Sequence, residues 1–213
     1  MVFQCPEGHT VHAPWKKLRT KRECPMCSSN QYNIQDDKVL SKKKNSFRVL
    51  AIDQATRISG YAIMDDGILV KYGTFTTDLE DEIARDYDIK MWLLSMISNW
   101  KPDKVAIEGI QLQSETYGNT IGVTTFETLA RLQGILMETL YEKKMDYVVC
   151  HTQVWRKHCG VKGRARADKK TSMRLLVKQW YDVSVSEDEA DSIGICKYAT
   201  ETSHKKPEVF NWE

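Results

Sequence analysis

Short apolar runs closed by turn residues alternate along this chain with longer stretches in which apolar side chains recur every three or four positions. Phe47-Arg48-Val49-Leu50-Ala51-Ile52 reads as a strand ending at Asp53. Gly60-Tyr61-Ala62-Ile63-Met64 reads as a second, and Asp65-Asp66-Gly67 as a hairpin turn into a third over Ile68–Phe75. From Leu79 to Trp100, Ile83, Tyr87, Met91, Leu94 and Ile97 fall near helical spacing, and Pro102 follows the stop. Lys104-Val105-Ala106-Ile107 is a fourth strand, ending at Glu108. Thr125–Lys144 predicts a helix with Leu129, Leu132, Leu136 and Leu140 on one stripe, and Asp146–Cys150 a fifth strand. Ala167–Tyr181 and Asp188–Thr200 predict two more helices. A hairpin followed by strand–helix–strand units makes an α/β fold: a mixed five-stranded sheet with helices on both faces.

Residues ahead of this pattern read differently. Residues 1–27 are short, Pro-punctuated and hold three of the six cysteines; residues 28–46 are polar and read as a linker; residues 47–213 form the main domain. Cys5, His9, Cys24 and Cys27 have the spacing and ligand types of a small tetrahedral zinc module, with His12 as the rival to His9. So short a stretch buries little core, and one Zn²⁺ would supply most of its folding energy, on the order of 10 kcal/mol. Metal analysis checks this: one zinc per chain in the wild type, lost in Cys24→Ser. Cys150, Cys159 and Cys196 lie in core elements and read as buried apolar fillers.

Hydrophobic content of 41% over 213 residues suits a soluble globular chain with one core and a satellite. No apolar run is long enough for a membrane span, and the start lacks a signal-peptide layout, so a cytoplasmic location is expected. The net charge of +2 hides an uneven distribution. Basic residues crowd 1–46 and 151–180, and acidic ones dominate 47–150 and 181–213. A polyphosphate held by the basic parts and processed at the acidic part fits that asymmetry, although charge runs are more often solvated faces.

The carboxylates sharpen the picture. If the strands ending at Asp53 and Glu108 lie parallel and adjacent, the two acids meet at one sheet edge, and a helix over that edge adds Asp188 and Asp191. Such a cluster repels itself unless divalent cations sit within it, which points to two-metal phosphodiester chemistry on nucleic acid. Two Mg²⁺ (or Mn²⁺) ions per site suit these hard oxygen ligands. Taken singly, each acid has a plainer role. Ser186 with Glu189 is a capping box, acids in a first turn favour the helix dipole, and Asp65 and Asp66 are turn residues. Asp191 lies past the first turn and shares a helix face with Asp188.

Four segments in order carry a family resemblance. Asp53 with Arg57-Ile58-Ser59-Gly60-Tyr61, Ala106-Ile107-Glu108, Leu129-Ala130-Arg131-Leu132-Gln133-Gly134 and Asp188-Glu189-Ala190-Asp191 together resemble the RuvC-type Holliday junction resolvases, nucleases of RNase H-like fold. The resemblance covers residues 47–200. It implies Asp53, Glu108, Asp188 and Asp191 as metal ligands, with Lys169 or Lys170 steadying the scissile phosphate. Arg57, Arg156, Lys157, Arg164 and Arg166 become the expected DNA contacts. A homodimer cutting branched DNA into 5′-phosphate and 3′-hydroxyl ends follows, and the small size and added zinc module point to a bacteriophage version in a bacterial host. Two departures stand out: the family's Pro-Gly after the first Asp is Gln54-Ala55 here, and its junction-wedging aromatic three residues after the Glu is Gln111, with Tyr117 next downstream. The rivals are a catalytically inactive zinc-containing DNA-binding protein on the same fold and an actin-like or sugar-kinase-like ATPase. The ATPase requires Gly-rich phosphate loops, which Gln54–Arg57 and Gly109–Leu112 do not supply. Four-way junction, fork, flap and RNA-containing duplex all remain open as substrates.

Overall fold

The computed structural model describes residues 2–4, 10–12, 42–43, 45–111 and 121–203. The chain divides into two compact units, Met1–Val39 and Leu40–Glu213. In the first, β1 (Val2–Gln4) pairs antiparallel with β2 (Thr10–His12), with Gln4 opposite Thr10. The expected zinc ligands Cys5, His9, Cys24 and Cys27 lie outside the described residues.

The second unit is built on a five-stranded sheet. Its strands are β3 (Arg48–Asp53), β4 (Ile58–Asp65), β5 (Ile68–Thr76), β6 (Lys104–Gly109) and β7 (Asp146–His151), in spatial order β5-β4-β3-β6-β7. The hairpin strands β4 and β5 are antiparallel to their neighbours, whereas β3, β6 and β7 run parallel. Asp66 and Gly67 both take positive φ (50° and 85°), the two-residue turn that matches the natural strand twist. Opposite that turn, Arg48 is buried: its guanidinium makes a paired contact with Asp65 (2.5 and 2.7 Å) and donates to the Trp100 carbonyl at 2.9 Å. Asp65 is thus more than a turn residue, because it neutralises a buried arginine that its sheet register places directly across from it.

Side-chain alternation splits the core in two. Val49, Ala51, Ala62, Met64, Ala106 and Cys150 join a buried cluster with Trp155, Met173, Ile193 and Cys196. These last residues come from α3 (Thr152–Cys159), α4 (Arg166–Tyr181) and α5 (Glu187–Ser203). The intervening Leu50, Ile52, Ile63, Val105 and Ile107 are buried toward the other face, left to α1 (Glu82–Trp100) and α2 (Ile121–Glu142). The expected mixed sheet with helices on both faces is present.

Some boundaries differ from the sequence pattern, for local reasons. Helix α1 begins at Glu82 rather than Leu79 because Asp81 caps it, its side chain accepting from the Ala84 N–H at 2.8 Å. The Leu79 and Glu80 carbonyls bond instead to the buried Arg85 guanidinium. Helix α2 starts at Ile121 rather than Thr125. Helix α3 was not expected at all. It follows β7 without a linker and ends at Gly160, whose left-handed φ of 75° stops it.

Candidate active site at the carboxyl edge of the sheet

The parallel register sets Ile52 beside Ile107, so the next residues, Asp53 at the end of β3 and Glu108 one before the end of β6, lie side by side. Both belong to the alternation that faces α5, since Ala51 and Ala106 do. Helix α5 can reach them because the position opposite Asp53 on β4 is Gly60. A Cβ at residue 60 would lie 2.1 Å from the Asp188 carbonyl oxygen, so only glycine lets the start of α5 sit on the strand. The capping box holds that start: Ser186 N–H donates to Glu189 Oε2 at 2.7 Å, and Glu189 N–H donates to Ser186 Oγ at 3.3 Å. Glu189 is therefore committed to the cap, which leaves Asp188 and Asp191 for the site.

The charges of all four acids meet at Asp53. Its carboxyl is pushed well above the usual carboxylate range, first by the protein packed around it, then by Glu108, Asp191 and Asp188. Asp191 is buried and is also pushed upward by burial, against which Arg156 pulls it down. Arg156 donates to Asp191 Oδ2 at 2.9 Å, and Trp155 Nε1 donates to Glu108 Oε1 at 3.0 Å. Lys170 stands 3.0 Å from Glu187 and 3.8 Å from Asp188, and its hydrogen bond holds Glu187 below the usual range. Behind the strand ends, Gln54 donates to the Glu108 carbonyl (3.1 Å) and to Gln133 Oε1 (2.9 Å), and that same oxygen accepts from the Ile110 N–H at 3.2 Å. Gln54, the first of the pair that stands in place of Pro-Gly, thus ties β3, β6 and α2 together.

The remaining expected contacts are spread around this edge. Arg57 is exposed in the β3–β4 turn, Lys157 on α3, and Arg164 and Arg166 at the start of α4; Lys169 is partly buried on α4. Gln111 is exposed, and Tyr117 lies outside the described residues. The sequence pattern gives Trp155, Gln54 and Gln133 no working role. Trp155 and Cys159, four apart and followed by glycine, were the available sign of a short buried helix.

Among the described residues, no three His, Cys, Asp or Glu side chains already converge as ion ligands. The donor set nevertheless fits hard divalent cations, because it consists of carboxylates, and burial together with their mutual repulsion already raises the Asp53 carboxyl. Arg156 and Lys170 meanwhile supply the positive charge at Asp191 and Asp188. That upward shift, from burial first and repulsion second, has a measurable sign. A carboxyl raised in the folded state keeps its proton where the unfolded chain has lost it. Its contribution to stability is therefore largest in acid and falls as pH rises from the ordinary value through the folded one. Without metal, Asp53→Asn is expected to melt above wild type at pH 8, with the gap closing toward pH 4. Adding Mg²⁺ should raise the wild-type melting temperature more than that of the variant.

No protein-family model and no curated protein matches the sequence. Solved structures do match in fold. Thermus thermophilus RuvC in complex with a Holliday junction substrate aligns with a TM-score of 0.55 at 13% identity, covering 74% of this chain and 96% of that one. A second Thermus thermophilus RuvC structure aligns at 0.55 and 16% identity over the same shares. The yeast mitochondrial Holliday junction resolvase Ydc2 aligns at 0.53 and 14% identity, covering 78% of this chain and 85% of that one. Among the described residues, no helix is long and apolar enough to cross a membrane. The chain has the RuvC-like, RNase H-related fold, with its four acids gathered at the carboxyl edge of the central strands.

Proposed function

We propose that this chain is a divalent-metal-dependent endonuclease that nicks branched DNA, with the four-way junction as its foremost substrate. The observation that carries the proposal is the gathering of Asp53, Glu108, Asp188 and Asp191 from two strands and a helix, where burial first and their mutual repulsion second raise the Asp53 carboxyl. The likeness to a RuvC structure holding a Holliday junction supports branched DNA as the substrate. In this reading Asp53, Glu108, Asp188 and Asp191 hold Mg²⁺ or Mn²⁺, which when bound supplies an activated water and neutralises charge on the leaving oxygen.

The chain's own groups do the rest. Asp53 and Glu108 sit on neighbouring strands of a packed sheet, so their spacing is rigid. Arg156 and Lys170 now neutralise Asp191 and Asp188; with those acids otherwise neutralised, both cations turn to the DNA phosphates. Arg57, Lys157, Arg164, Arg166 and Lys169 extend the positive surface along the backbone. Paired nicks across a junction of near-two-fold symmetry call for a homodimer. Residues 1–27 are in this reading a zinc-held module that either adds phosphate contacts or acts as an inert cap. The ATPase reading is disfavoured because the turn after β3 is closed by Ser59, whose Oγ bonds the Ala55 N–H and carbonyl (3.1 and 2.8 Å). An inactive DNA-binding protein would share the fold but not the nicking. The deciding assay is metal-dependent nicking of four-way junction against linear duplex. Junction-selective cleavage in Mg²⁺ or Mn²⁺ is expected; junction binding without cleavage in either metal would favour the inactive protein.

A further inference from the structure

We infer that Trp155 is a positioning residue for Glu108, an inference that rests on the metal-site reading above. The indole N–H donates to Glu108 Oε1 at 3.0 Å from a fully buried side chain. The ring is clamped. A Cβ on Gly194 of α5 would lie 2.8 Å from Trp155 Cζ3 and 3.0 Å from Met173 Cε, so glycine makes the slot the indole fills. The Arg156 guanidinium lies over the ring, 5.0 Å from its centroid. Helix α3 thus places consecutive residues on two of the four acids, Trp155 on Glu108 and Arg156 on Asp191.

The two contacts differ in kind. A guanidinium cancels the charge of its carboxylate, and a cation must displace it to bind there. An indole N–H donates one hydrogen bond, accepts none and does not titrate in this range. It holds Oε1 without adding a positive charge to Glu108. A ligand oriented this way binds its ion without first searching rotamers, and loss of such an orienting partner typically weakens metal binding by about 10–100-fold.

Trp155→Phe removes the N–H and keeps most of the ring, and the full-length protein can be titrated with Mn²⁺ alone by calorimetry, without DNA. The expected result is binding about ten-fold weaker than wild type in Trp155→Phe. Combining it with Glu108→Gln should add no further loss to that of Glu108→Gln. Equal losses in both backgrounds would mean the indole acts through packing alone, and wild-type affinity in Trp155→Phe would remove the role altogether. Wild-type affinity in Glu108→Gln would instead defeat the metal-site reading itself. A measurement on the unmutated fold stands beside these: the Trp155 indole ¹H–¹⁵N resonance is expected to shift on Mg²⁺ addition. A resonance that stays still while the protein binds Mg²⁺ overturns the inference even if Trp155→Phe fails to fold.

Discussion

Glu108→Gln and Asp53→Asn are each expected to lower metal-dependent nicking of a four-way junction by about 10³-fold or more, while binding the junction at least as tightly as wild type. Each change removes one anionic ligand from a cluster whose catalytic contribution is electrostatic, worth several kcal/mol of transition-state stabilisation. Binding moves the other way because a phosphodiester approaching four carboxylates meets repulsion, and each amide removes one charge from it. The two variants share a mechanism but not a cause in the fold. Asp53 is the acid on which burial and the three other carboxylates converge, whereas Glu108 is held by an indole. Gel shift in Ca²⁺ and single-turnover cleavage in Mg²⁺ read both halves. Cleavage near the wild-type rate by either variant would remove these residues from the active site.

Gly60→Ala should damage stability and cleavage together. The added methyl would lie 2.1 Å from the Asp188 carbonyl oxygen and 2.6 Å from its carbon, both backbone atoms that cannot rotate aside. Either β4 or the first turn of α5 must move, and overpacking of this kind costs about 1–3 kcal/mol. Displacing α5 carries Asp188 away from Asp53, and a shift of about 1 Å in a catalytic group lowers rates by about 100-fold. Gly134→Ala provides the control. That glycine is exposed within α2 with nothing within 4 Å of a new Cβ, so alanine there should stabilise by up to about 1 kcal/mol through helix propensity. Urea unfolding of the two variants, read beside their nicking rates, separates steric displacement of α5 from any general intolerance of added side chains. A Gly60→Ala protein with wild-type stability and rate would show that α5 does not rest on β4 as described.

Much of the candidate site is legible in the sequence alone, since the features that point to it are local. An apolar run ending in an acid, a two-residue turn and Ser186 three before Glu189 each depend on neighbours within a few positions. The strands, the hairpin and the α5 cap stand where those patterns put them. Asp65 shows where the local view stops: it was read as a turn residue, but its function is to neutralise Arg48, a partner supplied by cross-strand register.

By itself, then, the sequence determined the five strands, the helices other than α3, the mixed sheet and the acids at the carboxyl ends of β3 and β6, because side-chain periodicity and turn chemistry are properties of contiguous residues. Tertiary structure alone decided which cations and donors meet those acids. That Trp155 rather than a charged residue holds Glu108, that Arg156 pairs with Asp191, and that Gly60 and Gly194 leave room for α5 and for an indole all depend on how helices dock on the sheet. Docking is set by the packing of residues far apart in the chain, and no single stretch of sequence carries that information.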